Sequence, residues 1–333
     1  MKVNIYDVAR VSGLSVVTVS RVINGSDKVR PYNRERVLAA IRELGYRPNA
    51  SARSLAKGKT GIIGIILITL QDSFFDAVVS EINELLGKQG YYPAVAVARS
   101  LDDEGHYLID PDRVDGLILL SPVEEESFVD EIEQNGIPYV LVDNQQPDAP
   151  LSVTVDNVHG GYIATRHLLE LGHTQIAYLS GEACFLSSSD REAGYLQALE
   201  EAGLAPYEVK HGAFDIEFGY RAGQAWLAAG QLPTAVFASD DYIAVGLINA
   251  LQEGGVRVPD QVSVVGFDDQ MLASRLHPHL TTIRQPVRAL AAHAVELLLT
   301  RLDGNEPPVF PKLEPELIIR SSTAPPAGRE GRP

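Results

Sequence analysis

The sequence has little of several features that define other classes of protein. A single cysteine, Cys184, excludes an internal disulfide, and we expect its side chain to be buried as a small apolar group. The N-terminus shows no apolar segment of the kind a secretory signal needs. The longest apolar run, residues 61–70, has about half of the ~20 residues that span a membrane. These absences predict a cytoplasmic protein.

Sequence motifs of common enzymes are also missing. No G-x-x-x-x-G-K-[ST] phosphate loop occurs, and the eight histidines show no H-E-x-x-H or Cys/His metal spacing. His277 and His279 lie close together in a predicted loop, where chance proximity explains them better than a metal. A sugar hydrolase, which needs two carboxylates, is not excluded, but it leaves the basic N-terminus without a role. We therefore predict no enzymatic activity, no metal and no cofactor.

Charge is distributed very unevenly along the chain. Residues 1–60 hold 12 lysines and arginines against four acidic residues, a net charge of +8. The remaining residues hold 16 basic and 40 acidic side chains, a net charge of −24. This asymmetry indicates a small basic module that binds an anion, joined to a large acidic body.

The sequence of the basic module predicts a helix-turn-helix. Asn4 and Ser15 are suitable N-caps for two helices, and Gly13 can take the positive φ of the turn between them. The stretch 15–25 is rich in β-branched residues and favours a strand by propensity alone. A helical period nevertheless separates its apolar residues by face, and the second helix of such a motif enters the DNA major groove.

The faces of the second and third helices give a predicted core and a predicted DNA surface. Val19, Val22 and Ile23 point inward on the second helix, and the third helix ends at Gly45. The third helix is expected to turn Val37, Leu38, Ile41 and Leu44 inward. Base edges are assigned to Val16, Val17 and Arg21, because valine can sense thymine methyls and arginine suits guanine. Phosphates are assigned to Ser15, Thr18 and Ser20.

The segment that follows is predicted to be a hinge. Asn49 can cap a short helix over residues 50–56, which is marginal alone in water and would fold against DNA. Leu55 is its one large apolar side chain and could wedge into a minor-groove step, with Ala52 close by.

These motifs resemble the LacI/GalR family of bacterial transcription regulators. The resemblance is carried by IYDVARVSGLSVVTVSRVING, RERVLAAIRELGYRPNASARSLA, DNVHGGYIATRHLLELGHTQIAYL, REAGYLQAL and VSVVGFDD, and it extends to about residue 322. It implies an operator-binding head, a hinge helix in the minor groove and a two-lobed periplasmic-binding-protein-like core that senses a small molecule. It also implies a homodimer on a pseudopalindromic operator.

The sequence of the acidic body, from residue 61 onward, independently predicts an α/β fold. Short β-branched runs alternate with helical segments, a pattern typical of parallel sheets. Its length favours two lobes, with the chain changing over near residues 153–157 and crossing back near 281–287. The predicted domains are a head over 1–47, a hinge and linker over 48–60, a core over 61–322 and a flexible tail over 323–333. The tail has no leucine heptad, so no coiled-coil tetramer is expected.

Polar and aromatic residues at strand ends define a candidate ligand cleft. Ligands bind beyond the carboxyl ends of strands in open α/β sheets. The candidates are Phe75, Asp143, Arg191, Phe214, Asp240, Asp268 and Gln285; the resemblance places Asp143, Arg191, Asp240 and Asp268 in contact with the effector. Asp241 and Asp269 are more simply explained as helix caps.

This chemistry suits a sugar, because carboxylates accept from hydroxyls and aromatic faces cover apolar C–H patches. We therefore predict an allosteric repressor of carbohydrate-utilisation genes with a sugar-like effector. A purine- or nucleoside-responsive regulator of the same fold is the alternative. A transport-type sugar-binding protein is a third possibility, which the DNA-binding head disfavours.

Overall fold

The computed structural model separates the chain into two compact units, Met1–Gly61 and Ile62–Pro333. The residues that it describes are 3–46, 59–70, 73–102, 107–146, 149 and 151–327. The predicted hinge residues Asn49, Ala52 and Leu55 lie outside the described residues.

In its described residues the first unit has three helices: α1 (Ile5–Ser12), α2 (Val16–Ile23) and α3 (Pro31–Leu44). Asn4 caps α1 in a reciprocal capping box with Asp7, and Gly13 ends it at a φ of 64°. The Ser15 hydroxyl accepts from the backbone N–H of Thr18 and caps α2. The helix-turn-helix is therefore confirmed, and the β-branched stretch is helical.

The core of this head is made by one face of each helix. Val8, Val19 and Val37 are fully buried, and Ala40 is 2% exposed. The prediction for Leu38 is wrong, because this side chain is 40% exposed. The buried face of α3 follows the spacing Val37, Ala40, Ile41 and Leu44, and Leu38 lies about 100° around the helix from Val37.

Two β-sheets form the second unit, as the α/β pattern predicts. The strands of the first sheet are β1 (Ile62–Leu67), β2 (Tyr92–Val97), β3 (Gly116–Leu120), β4 (Tyr139–Val142) and β5 (Ser152–Val153). Their order in the sheet is β2-β1-β3-β4-β5, and all of them are parallel.

The strands of the second sheet are β6 (Ile176–Ser180), β7 (Val209–His211), β8 (Ala235–Ala238), β9 (Ser263–Asp268), β10 (Thr281–Arg284) and β11 (Glu316–Ile318). Their order in the sheet is β11-β10-β9-β8-β6-β7, and among the described pairs only the edge strand β11 runs antiparallel to its neighbour.

Helices cover both sheets and complete two lobes. They are α4 (Ser73–Lys88), α5 (Glu125–Gln134), α6 (Asn157–Glu170), α7 (Leu186–Glu201), α8 (Ile216–Ala229), α9 (Asp241–Glu253) and α10 (Val287–Leu302). Helices α4, α5 and α10 pack in the first lobe, and α6 to α9 pack in the second.

The chain passes between the lobes three times. Two passages lie at 153–157 and 284–287, where the sequence places them. A third returns the chain from α10 to β11, and Leu313 pairs there with Val155 in an isolated β-bridge. The sequence pattern misses this passage because an extended connection of polar residues and prolines carries no period.

The C-terminal segment stays attached beyond residue 322. Thr323 Oγ1 lies 3.0 Å from His167 Nε2, and the Ala324 carbonyl lies 2.9 Å from His173 Nε2. The predicted start of a flexible tail at residue 323 is therefore too early, because this polar segment finds partners on the second lobe. No helix in the described ranges is long and apolar enough to span a bilayer.

Candidate effector cleft and DNA-binding surface

A cleft of about 540 Å³ lies where the carboxyl ends of the two sheets face each other. This volume is within the range of about 300–1,000 Å³ that small-molecule sites occupy. The structure brings all seven predicted ligand residues to this one cleft: Phe75, Asp143, Arg191, Phe214, Asp240, Asp268 and Gln285.

On the first lobe, two polar residues follow adjacent strands in strained backbone. Ser121 follows β3 with a φ of 47°, and Asp143 follows β4 with a φ of 54°. The Ser121 hydroxyl donates to Asp143 Oδ2 over 2.6 Å. Burial raises the pKa of the Asp143 carboxyl, and the Ser121 hydrogen bond and the charge of Arg191 oppose that rise.

On the second lobe, Asp268 is the last residue of β9 and also has a positive φ, 104°. Gln285 Nε2 donates to Asp268 Oδ1 over 2.6 Å. Burial raises the pKa of the Asp268 carboxyl, against the opposing charge of Arg191. Among the described residues, positive φ outside glycine is confined to these strand ends and to Asp269. Such strain typically clusters at functional sites.

Arg191 lies in the first turns of α7 and is 4% exposed. Its Nε donates to Asn157 Oδ1 over 2.9 Å and its Nη1 to the Ser239 carbonyl over 2.6 Å. The guanidinium also stacks 3.7 Å from the centre of the Phe267 ring. Arg191 is therefore fixed by neutral partners in addition to its ion pair with Asp268.

Aromatic rings line both sides of the cleft. Phe74 and Phe75 form a tilted pair on the first lobe with ring centres 5.6 Å apart. Phe185 and Phe214 form a similar pair on the second lobe, 5.9 Å apart. Gly181 makes the position of Phe214 possible, because a Cβ at this glycine would lie 2.0 Å from the Phe214 ring.

Two aspartates predicted as helix caps have other roles. Asp240, not Asp241, caps α9 by accepting from Ile243 N–H over 2.7 Å. Asp241 is fully buried and accepts from Thr282 Oγ1 and from Gln270 N–H. Asp269 precedes no α-helix and pairs with Arg284 and Arg320. Both predictions fail because the neighbouring strand β10 and the C-terminal segment supply donors from far along the chain.

The prediction of a buried Cys184 is also wrong. Cys184 is exposed, in the connection between β6 and α7. Its neighbour Phe185 fills the apolar position there and is 4% exposed. The thiol lies beside the Glu182 carboxylate, with Sγ 3.8 Å from Oε2.

Several cleft residues were not predicted. They include Arg99, Ser121, Glu182, Phe185, Ser187, Asp215 and Tyr242. Ser121 and Glu182 come shortly after predicted strands, so the rule that found Asp143 could have found them. Arg99 likewise comes two residues after β2, and it forms an ion pair across the lobes, 3.1 Å from Glu182. In the described part of the chain, no group of acidic, histidine or cysteine residues is arranged to hold a metal ion.

On the head, the residues predicted to contact base edges differ in exposure. Val17 is 60% exposed, and Arg21 is exposed one turn further along α2. Val16 is half-buried and packs against the head core. The structure thus presents Val17 and Arg21 together, and gives Val16 a packing role.

The residues predicted to contact phosphates lie on or beside the same helix. Ser15 Oγ is occupied as the cap of α2 and lies 2.9 Å from Thr18 Oγ1. Thr18 and Ser20 are half-buried. Ser15 and Thr18 lie at the N-terminal end of α2, which is the end that a recognition helix presents to DNA, and Ser20 lies just past its middle.

A three-helix head with this motif and a two-lobed α/β core with a cleft define a ligand-responsive DNA-binding regulator. Comparisons with known proteins agree. Residues 4–49 match the model of bacterial regulatory proteins of the lacI family, and residues 165–323 match a periplasmic binding protein-like domain. The chain belongs to the LacI family of bacterial transcription regulators.

Similar proteins match over nearly the whole chain. The HTH-type transcriptional repressor PurR of Vibrio campbellii is 36% identical over 96% of this chain and 98% of its own length. The HTH-type transcriptional regulator DegA of Bacillus subtilis is 33% identical over 98% of this chain and 99% of its own.

Solved structures also match over nearly the whole chain. The Lac repressor dimer bound to operator and the anti-inducer ONPF gives a TM-score of 0.89 at 30% identity, over 97% of this chain and 100% of that one. The transcriptional regulator CelR in complex with cellobiose gives 0.73 at 32% identity, over 96% of this chain and 99% of that one.

Proposed function

We propose that this protein is a homodimeric transcription repressor, without enzymatic activity, whose cleft binds a sugar-like effector. Its two heads bind a pseudopalindromic operator in the bacterial cytoplasm. The observation that carries the effector site is the cleft itself, where Asp143 and Asp268 enter from opposite lobes between two pairs of aromatic rings.

The polar groups of the cleft favour a ligand rich in hydrogen-bond donors. Carboxylates are acceptors when ionised, and each hydroxyl of a sugar offers a donor. The phenylalanine pairs supply apolar surface for the C–H faces of a ring. The similarity to a regulator in complex with cellobiose supports this choice.

A purine base is the second candidate, because PurR repressors are among the most similar relatives. Rings such as Phe75 and Phe214 could sandwich a flat base as readily as they cover a sugar. A base offers fewer donors than a sugar, however, and leaves more of the cleft carboxylates without a partner.

A dimer is supported by the similarity to the Lac repressor dimer and by one surface of the first lobe. The edge strand β2 exposes Val95 and Val97 on one face, each 43% exposed. Apolar side chains grouped on one strand are typical of a protein interface. Closure of the lobes around a ligand would then move the paired first lobes and change operator affinity, typically by about 1–3 kcal/mol.

Two measurements test this function. Footprinting of the upstream DNA of its own gene neighbourhood should reveal a pseudopalindromic site whose occupancy falls as salt rises. Absence of a site at low salt would contradict operator binding. A thermal-shift screen of sugars and purine bases should give a hit that Arg191→Ala abolishes, and a hit confined to the bases would replace the sugar by the second candidate.

A further inference from the structure

Acidic side chains outnumber basic ones in the cleft. Its described lining includes six acidic residues and two arginines: Asp143, Glu182, Asp215, Glu217, Asp240 and Asp268, with Arg99 and Arg191. Burial raises the pKa of two of the acids, Asp143 and Asp268. If both were protonated, four carboxylates would still face two guanidinium groups. The surrounding chain, residues 61–333, carries a net charge of −24 and adds to the repulsion of anions.

Both arginines of the cleft are already engaged with protein groups. Arg99 Nη2 lies 3.1 Å from Glu182 Oε2, and Arg191 Nη2 lies 3.6 Å from Asp268 Oδ1. Two other guanidinium nitrogens of Arg191 donate to Asn157 and to the Ser239 carbonyl. An anionic ligand would have to displace a carboxylate or share its arginine with one.

Three helix ends of the second lobe at the cleft hold acceptors as well. Free N–H groups at a helix N-terminus attract anions, and α7, α8 and α9 begin here. Asp215 accepts from the first turn of α8 and Asp240 from the first turn of α9, each over 2.7 Å. The N–H of Leu186 in α7 donates to Gln145 Oε1 over 2.7 Å. Each of these helices therefore already holds an acceptor of its own chain.

We infer that the ligand of this cleft carries no acidic group and is a neutral or amine-bearing compound, which excludes sugar phosphates, sugar acids and nucleotides. This inference rests on the proposed effector function and narrows its chemistry. It concerns the charge of the ligand, so it applies to a sugar and to a purine base alike.

Cys184 offers a test that needs no ligand. It is the one cysteine of the chain, is exposed, and lies beside Glu182, which lines the cleft. We would measure its reaction with two methanethiosulfonates, one bearing a trimethylammonium group and one a sulfonate. Each reagent transfers its thioalkyl group to the thiolate and releases methanesulfinate. The ratio of the two rates, divided by the same ratio for free 2-mercaptoethanol, reports the local potential.

We expect the cationic reagent to be favoured about tenfold. Glu182→Gln should reduce the ratio, whereas Glu170→Gln, an equal change of charge at the far end of α6, should leave it unchanged. A normalised ratio of one or less would overturn the inference. The raised pKa of the Cys184 thiol affects both reagents equally and cancels in the ratio.

Calorimetric titrations with matched ligands complete the test. The sets are glucose, glucosamine, gluconate and glucose 6-phosphate; cellobiose and cellobionate; and inosine with inosine monophosphate. In any set that binds, the acidic member should bind at least about tenfold more weakly than its neutral parent. Equal or tighter binding of the acidic member would overturn the inference while leaving an effector site intact. If no set binds, the choice of effector class is contradicted, and the reagent ratio alone decides the inference.

Discussion

The guanidinium of Arg191 and the carboxylate of Asp268 form an ion pair whose two side chains are 5% and 6% exposed. Their nearest atoms are 3.6 Å apart, longer than a charge-assisted hydrogen bond. Shorter contacts tie each partner to neutral groups, Arg191 to the Ser239 carbonyl and Asp268 to Gln285. The two charges thus compensate each other while neutral neighbours fix their positions.

Removing one charge of this pair should be costly. Arg191→Ala leaves Asp268 buried without its cation, and we expect the free energy of unfolding to fall by about 3–5 kcal/mol. Asp268→Asn should cost less, about 1–3 kcal/mol, because the amide can still accept from Gln285. Urea denaturation of both variants and of the double variant gives the coupling energy. Strictly additive losses would show that the two side chains do not interact.

Gly181 should be intolerant of any side chain. In Gly181→Ala the new methyl meets the Phe214 ring at 2.0 Å, so the ring must leave its position in the cleft. We expect a loss of about 1–3 kcal/mol in stability and a marked loss of effector affinity.

Gly87→Ala is the matched control for that substitution. Gly87 lies inside α4, and a methyl group added there would meet no neighbouring atom within 4 Å, so alanine should stabilise the helix by up to about 1 kcal/mol. Thermal denaturation compares the two variants, and similar melting temperatures would contradict the role given to Gly181.

The fold was largely predictable because its signals are local. The cap at Asn4, the turn at Gly13 and the apolar period of each helix are each encoded in a short stretch of sequence. The same holds for the strands, whose carboxyl ends gather the predicted ligand residues in one cleft. Because the strands are parallel, residues that follow them in the sequence lie together at one edge of the sheet and form a site.

The features that the sequence did not predict depend on contacts between distant parts of the chain. Asp241 looks like a cap in the sequence, but Thr282 supplies the hydroxyl that holds it. Arg99 follows a strand, but its ion-pair partner Glu182 lies 83 residues away in the chain. No local pattern contains this information.

The buried Asp241 should make stability depend on pH. Burial and the neighbouring Asp268 charge hold the pKa of Asp241 well above its usual range. The protonated form is therefore favoured in the folded protein, and this contribution to stability is complete below the unfolded pKa of about 3.9. It is lost as pH rises toward the folded pKa, at up to about 1.4 kcal/mol per pH unit.

Asp241→Asn isolates that contribution. Its amide oxygen can accept from Gln270 N–H and its amide nitrogen can donate to Thr282 Oγ1, so both contacts of Asp241 can be kept. We expect the variant to gain stability relative to the parent protein as pH rises from 4 to 7. Urea denaturation across this range measures the difference, and a pH-independent difference would show that Asp241 does not titrate differently on folding.

The exposures of Val16 and Val17 predict a separation of stability from DNA recognition in the head. Val16 packs against the head core, so Val16→Ala should lower the stability of the head by about 1 kcal/mol. Val17 is 60% exposed, so Val17→Ala should leave stability nearly unchanged. Thermal denaturation monitored by circular dichroism measures both effects, and an equal loss in the two variants would contradict the assignment.

For operator binding we expect the reverse, with Val17→Ala having a larger effect than Val16→Ala. Val17 offers two methyl groups and no hydrogen-bonding group, so it can recognise a thymine methyl, while Arg21, one turn further on, can donate to guanine. Replacing operator thymines by uracil, which lacks the methyl, should weaken binding by the parent protein but not by Val17→Ala. Arg21→Ala should cost about 1–3 kcal/mol and relax discrimination at one base pair, without the uniform loss and reduced salt slope of a lost phosphate contact. If uracil weakened binding equally in the parent protein and in Val17→Ala, another residue would have to contact the thymine methyl. The reason is that only the parent protein has the Val17 side chain.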